Sequence, residues 1–425
     1  MRTRLVVLCA ALTACTSSVS GETTTSTSTT VATTTTTVVT TTTTTVPTIQ
    51  ISGRVMSDAG APVSRATVTM GETTTLTAPD GWFTIETTSP DAMTVSKPGW
   101  VGTDVELNDE ISFYEATIAP ERIRGLRVGG SAAADDSVFE HLVSLANDTA
   151  VNAFVFDTKQ EGGEVLYDTG VVEAHEIGAV RDLYDPAKRI EQARAHGLYT
   201  ITRIVTFEDA RRAAAFADEK LAGPWLDPAS DTARAYNLAL ASEACELGFD
   251  EIMFDYVRYP AGRTADVSGQ LDLSEADRVA VVADFISEAR DLLNPMGCAV
   301  SAAVFAIVVS APDDQGLGQR PEEVSAQADV LSPMIYPSHY SNGWLGFDDP
   351  NDYPYEVTTD AITDARGRME PGARLRPWLQ AFWWTNAQIR ESIQAAEDLG
   401  SGWILWNARS NFDLAALPTN EEVAS

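Results

Sequence analysis

The run Ile252-Met253-Phe254-Asp255 ends three apolar residues on a carboxylate. Burial at such a strand exit strips water from the carboxylate and leaves its pKa to be set by its neighbours. Arg258, three residues on, reads either as an ion-pair partner of Asp255 or as a contact for ligand hydroxyls. Other strand-like stretches end in Phe156-Asp157-Thr158-Lys159, Thr206-Phe207-Glu208-Asp209, Tyr336-Pro337-Ser338-His339, Gln380-Ala381-Phe382-Trp383-Trp384 and Trp406-Asn407. Acetal cleavage in a sugar needs this mixture. Carboxylates move protons and stabilise a cation, aromatic faces meet sugar C–H groups, and amides meet hydroxyls. Asp255 and Asp157 are the candidate catalytic residues. Candidate substrate contacts are Tyr256, Arg258, Lys159, Tyr336, His339, Gln380, Trp383, Trp406 and Asn407. For Asp157 a structural ion pair with neighbouring Lys159 is an equal alternative, and core packing is one for each tryptophan. Glu208 and Asp209 read as helix caps or, with Asp157, Asp313 and Asp314, as candidates for the second acid. Asp313 and Asp314 read as a solvated or calcium-binding turn, or as a loop over the site.

Other chemistries find little support. The four histidines, at 141, 175, 196 and 339, show no metal-ligand spacing. No G-x-S-x-G elbow presents a serine nucleophile. The 29 basic residues face 61 acidic ones, a formal charge of −32, which repels phosphate backbones and anionic headgroups. The reading therefore calls for a glycan as ligand, no metal or cofactor, no nucleic acid and no protein partner.

The elements that must position these residues alternate regularly. Strand-like blocks fall at 123–129, 151–158, 198–207, 250–258, 298–309, 329–337, 374–383 and 402–408. Amphipathic blocks separate them: Val279, Val282, Ile286, Ala289 and Leu293 share one helical face, as do Ala233, Tyr236, Leu240, Ala244 and Leu247. Leu247-Gly248 and Leu399-Gly400 read as helix stops before strands. Eight strands alternating with helices predict an α/β fold, a TIM (β/α)8 barrel over 122–415, with a short tail at 416–425. A doubly wound open sheet is the runner-up, but no Gly-rich phosphate loop follows the first strand. Barrel chemistry sits at strand C-terminal ends, where the candidates lie. Cys245 and Cys298 read as small buried residues, and a disulfide between them cannot be deduced from sequence.

FDEIMFDYVRYP, DVLSPMIYPSHY, GLYTITRIVTFED, RPWLQ and GWILWN, in register, resemble a bacterial family of glycoside hydrolases long catalogued as a domain of unknown function. The resemblance runs from about Arg122 to Asp413 and implies a barrel related to the α-amylase-like enzymes, with a nucleophile at the position of Asp255. Two departures stand out. Ala303, in Ser301-Ala302-Ala303-Val304-Phe305, and Ala381, after Trp378-Leu379-Gln380, occupy places where the family pattern carries acids. The implied function is hydrolysis of extracellular or cell-wall polysaccharide; the alternative is a catalytically silent glycan-binding barrel.

Before the barrel, residues 49–119 alternate in short β-branched runs broken by turns, as in a small all-β sandwich. GRVMSDAGAPVSRATVTM followed by TLTAPDGWFTI resembles the carboxypeptidase regulatory-like domain, a transthyretin-like fold. Residues 16–48 form a Thr-rich linker, with seventeen threonines between 23 and 45, too poor in apolar surface to order itself. Residues 1–15 pair Arg2 and Arg4 with an apolar stretch and end in Leu12-Thr13-Ala14-Cys15, which resembles the lipobox of bacterial lipoproteins. That implies export and a membrane anchor through lipid on Cys15; an ordinary secretory signal is the alternative. Mass spectrometry of protein extracted from its native membrane should find diacylglycerol on Cys15, and a lipid-free mature N-terminus beyond Cys15 would contradict the anchor.

Overall fold

The computed structural model describes residues 48–88, 92–108, 112–261 and 273–424. The expected signal segment with Cys15 and the threonine tract at 23–45 lie outside the described residues. Eight parallel strands close the barrel: β1 (Arg124–Val128), β2 (Ala153–Gln160), β3 (Tyr199–Val205), β4 (Glu251–Asp255), β5 (Ala299–Phe305), β6 (Val330–Ile335), β7 (Trp378–Gln380) and β8 (Trp403–Trp406). They pair in chain order, and β8 returns to β1 with Trp403 opposite Arg124, so the open-sheet alternative is excluded. Helices α1 (Asp136–Asp148), α2 (Pro186–Arg194), α3 (Asp231–Glu246), α4 (Glu275–Leu293), α5 (Pro321–Gln327), α6 (Pro354–Arg368) and α7 (Asn386–Asp398) follow successive strands. Val279, Val282, Ile286, Ala289 and Leu293 form the buried stripe of α4, and Gly248 leaves α3 at φ 110, a left-handed turn that glycine adopts without a Cβ clash.

Two strands end earlier than their apolar runs suggest. β4 stops at Asp255 because Tyr256 takes φ 52, and the chain after β5 coils into a helical turn at Ile307–Ser310. In β2 the register to β3 shifts between Asp157 and Lys159, so Thr158 is an extra residue. The bulge puts Asp157 opposite Arg203 and Lys159 opposite Ile204, on opposite faces of the sheet. Cys245, at the end of α3, and Cys298, just before β5, are joined as a disulfide with Cα atoms 6.0 Å apart. They are more than the small buried fillers expected of them.

Between Ile49 and Pro120, among the described residues, two four-stranded sheets enclose a core that includes Val55, Val68, Phe83, Met93, Val95 and Ile118. Trp82 lies outside this core, 44% exposed against Phe113 at 5.2 Å, whereas Trp100 packs against it. The sandwich meets the barrel where strands begin. Lys97 Nζ lies 3.1 Å from Asp329 Oδ1, both buried, and Asp329 Oδ2 accepts from Asn294 and the Val300 amide. Arg65 reaches Asp291 and Asn294, and Arg374 donates to the carbonyls of Pro98 and Gly99.

Burial alone would raise the Asp329 pKa, but Lys97 and the amide donors outweigh it and bring it down to about 2. A folded-state pKa below the unfolded value means this stabilisation is complete at neutral pH and disappears as pH falls toward 2. Lys97→Met should cost about 3–5 kcal/mol in urea unfolding at pH 7, because Asp329 is left charged and buried, and adding Asp329→Asn should recover most of the loss.

Candidate active site

The C-terminal ends of β1 to β4 bring charged side chains together inside the barrel. Arg203, from the middle of β3, is 1% exposed and is the hub. Its Nε donates to Asp255 Oδ2 at 2.7 Å, its Nη2 to Glu161 Oε1 at 2.5 Å, and its Nη1 lies 3.4 Å from Asp157 Oδ1. Arg127 from β1 holds the other Asp157 oxygen. Burial disfavours the Arg203 charge, but Asp255, Glu161 and Asp157 outweigh that cost and keep the guanidinium protonated. Asp255 Oδ1 also accepts the Tyr256 amide at 2.7 Å. The left-handed Tyr256, a bulky residue at φ 52, is a local strain at the strand exit where that amide turns back on Asp255.

Above this hub opens a cavity of about 410 Å³ lined by Glu161, Arg203, Asp255, Tyr256, Tyr336, His339, Trp378, Trp406 and the apolar wall Phe305, Ala306, Ile307, Met334 and Tyr340. Trp406 lies over both guanidiniums, with Arg127 Cζ 4.2 Å and Arg203 Cζ 4.8 Å from its ring centroid. Trp378 meets Trp406 edge to face at 5.3 Å. His339 stands exposed at the mouth, packed edge-on to Tyr336 at 5.5 Å, and partial burial lowers its pKa. Sugar-sized, aromatic on one side and anionic on the other, the cavity can hold a pyranose against its faces while carboxylates reach a glycosidic oxygen.

Of the expected site residues, Asp255, Tyr256, Tyr336, His339 and Trp406 line this cavity. Asp157 lies fully buried beneath it, with both oxygens engaged by arginines, and orients those side chains. The Asp157–Lys159 pair does not form. Lys159 sits on the outer face of the sheet, 1% exposed, 2.8 Å from Asp209 and 3.0 Å from Asn237, where it ties β2 to the helix layer. Arg258 does not pair with Asp255 either. Its guanidinium is buried over Trp225, Tyr256 and Phe305, and desolvation lowers its pKa to about 10. Gln380 is buried and accepts from the amide and hydroxyl of Ser338. Asn407 braces its own turn and, with Trp383, belongs to a neighbouring groove. Asp209 caps the helix Ala210–Ala215, while Asp314 is held by Arg278 and the amides of Gly316 and Gly318, away from the cavity. Ala303 is fully buried in the barrel interior and Ala381 lies in the neighbouring groove, so neither position presents an acid.

Glu161 is the carboxylate the sequence reading passed over. It follows Gln160 at the end of β2 and leads into Gly162-Gly163, where the Gly162 amide donates to Glu208 at 2.7 Å. A Cβ on Gly163, itself at φ 85, would lie 1.9 Å from Asp209 Oδ1, so only glycine lets this turn close on the helix cap. Burial works to raise the Glu161 pKa, but Arg203 outweighs it and holds the group below the ordinary glutamate value. Sharing one guanidinium, the bound oxygens of Glu161 and Asp255 are roughly 8 Å apart at most, an upper limit set by their 2.5 and 2.7 Å bonds to Arg203. The signal available in sequence was a carboxylate just before a Gly-Gly turn at a strand end. Among the described residues, no three His, Cys, Asp or Glu side chains gather as a metal-ligand set.

A family model described as "Putative glycosyl hydrolase domain" matches residues 125–412. Among solved structures, the chain is similar to a hypothetical protein from Ruminiclostridium thermocellum ATCC 27405 at 28% identity, covering 42% of this chain and 96% of that one, with TM-score 0.36. It is similar to the PgaB (BpsB) glycoside hydrolase domain from Bordetella bronchiseptica at 14% identity, covering 68% and 94%, with TM-score 0.49. For the glycoside hydrolase domain of PelA from Pseudomonas aeruginosa the values are 13%, 68%, 96% and 0.40. No curated protein matches the chain.

The hub makes a stability prediction with a pH signature. Arg203→Met leaves the buried Asp255 carboxylate without its cation, so the folded protein should lose about 3–5 kcal/mol at pH 7. In that variant the stranded carboxylate binds a proton more readily folded than unfolded, and the deficit against wild type should shrink as pH falls from 7 to 5. Denaturant unfolding at both pH values measures it, and a deficit that does not change with pH would contradict the assignment.

Proposed function

The chain belongs to the "Putative glycosyl hydrolase domain" family, and from that membership we propose that its barrel hydrolyses glycosidic bonds in an extracellular or cell-wall polysaccharide, using Asp255 and Glu161. The observation that carries this reading is the pair of carboxylates held on one guanidinium at the floor of an aromatic, sugar-sized cavity. Asp255, fixed by Arg203 and the Tyr256 amide, presents negative charge to the anomeric carbon as the bond to the leaving group breaks. Glu161, at the mouth and 42% exposed, gives its proton to the departing oxygen. Water supplies the new C–O bond, and its proton returns to the carboxylate pair. Trp406 and Tyr336 receive the sugar faces.

A second reading, a barrel that binds glycan without turnover, is favoured by the alanines at 303 and 381 and by the grip of Arg203 on both carboxylates. We also propose that the protein works outside the cytoplasm, lipid-anchored through Cys15. The Cys245–Cys298 disulfide supports export, since such bonds persist in oxidising compartments.

Asp255→Asn keeps the shape of the site but removes the charge. It should abolish turnover on a polysaccharide panel while leaving glycan binding largely intact; turnover unaffected by it would remove Asp255 from the reaction. The proton donor sets the pH dependence. Glu161 must be protonated to act, and Arg203 holds its pKa low, so kcat/KM should fall as pH rises through a value below the ordinary glutamate pKa of about 4.3. Substrate that expels water from the cavity raises that pKa in the complex, so the corresponding limb of kcat should lie at higher pH. A kcat/KM flat from pH 4 to 7 would rule out Glu161 as the acid.

A further inference from the structure

Beside the barrel mouth, outside β7 and β8, runs a second groove of about 570 Å³. Trp383 stands on it, 84% exposed, at φ 60. A bulky side chain in the left-handed region costs of order 1–3 kcal/mol, and full exposure of an indole gains nothing from burial. The loop is nevertheless held in place. Its next residue, Trp384, is half-buried with its indole N–H bonded to Asn351 Oδ1 at 2.8 Å, and Phe382 packs against Tyr336 at 5.5 Å and His339 at 6.0 Å. Trp383 is therefore presented on a rigid support rather than left loose.

The same ring contacts join the groove to the proposed active site. Tyr336 and His339 line the cavity, Phe382 touches both, and Trp383 meets Phe382 edge to face at 5.1 Å. This aromatic line puts the indole roughly 10 Å from the cavity wall, two ring contacts away. Asn411 and Asn386 supply amides on the groove wall, and Leu414 an exposed apolar edge. We propose that this groove is a distal glycan subsite in which Trp383 stacks on a sugar ring of the chain whose scissile bond lies in the cavity, so that the substrate is a polymer gripped along several residues rather than a disaccharide. The proposal rests on the glycoside hydrolase reading for the cavity but concerns a surface that reading does not use. An apolar face flanked by amides fits a neutral pyranose, which offers C–H groups on its faces and hydroxyls at its edge.

The test uses the full chain carrying Asp255→Asn, run in native gels containing one of four neutral polymers: amylose, arabinoxylan, glycol chitin or hydroxyethyl cellulose. The polymer that retards this protein should lose at least tenfold in affinity when Trp383→Ala is added. Trp383→Gly should lose binding equally while its Tm is no lower than that of the parent, because glycine relieves the positive φ. On the chain with Asp255 restored, Trp383→Ala should lower kcat/KM at least tenfold more on that polymer than on its trimer. Retardation unchanged by Trp383→Ala, or equal losses on polymer and trimer, would overturn the subsite while leaving the hydrolase reading intact. Failure of all four polymers to retard the parent would overturn the subsite too, and the hydrolase reading would then be judged by turnover with and without Asp255 alone.

Discussion

A guanidinium sealed inside a barrel demands anions, and the demand of Arg203 organises the top of this one. Its side chain is 1% exposed, and three carboxylates from the β2 and β4 ends surround it. Without them the charge would carry an uncompensated desolvation cost of several kcal/mol; without it Asp255 would be a buried anion with no cation beside it. Arg127 enters for the same reason, since Asp157 has a second oxygen to satisfy. The outcome is a polar cluster spanning β1 to β4, with the Trp406 indole laid over both guanidiniums. Because Arg203 holds its partners through separate nitrogens, it also limits how far apart Asp255 and Glu161 can stand.

The large regularities of the fold were legible because they are local. Helix stripes such as Val279 to Leu293, the Gly248 stop and the eight strand-like runs each follow from the side-chain period of one element. Asp255 was legible too, as a carboxylate at the end of an apolar run. What strict alternation cannot give is the bulge at Thr158, and it moves Lys159 to the opposite face from Asp157. The candidate substrate contact thereby becomes a strut to Asp209 and Asn237, and the strand runs on to deliver Glu161 to the cavity. Arg203 and Arg127 were passed over for another reason. A long charged side chain in mid-strand reads as surface until its partners, which come from other strands, are known. The Cys245–Cys298 bond has the same character, since 53 residues separate its ends and the pairing of β4 with β5 brings them together.

The two missing acids look different once the rim is divided by strand. Ala303 on β5 belongs to the apolar cluster of Met253, Tyr336 and Trp378, one step beyond the Phe254–Ala302 pairing and so abreast of Asp255. An aspartate there would set a further buried anion beside Asp255, whose partner Arg203 already serves three carboxylates. The wall formed by Phe305, Ala306, Ile307 and Met334 continues that apolar side up to the mouth. Ion-paired carboxylates thus gather on β2 and β4 around Arg203, while the Arg258 guanidinium lies buried over Phe305 on the β5 side. On the proposed function, a sugar across this mouth would turn its C–H face to the apolar wall and its anomeric centre to Asp255 and Glu161. Under the proposed function the reaction belongs to the carboxylates that Arg203 gathers, and alanine at 303 keeps a further buried anion from competing with Asp255 for that guanidinium.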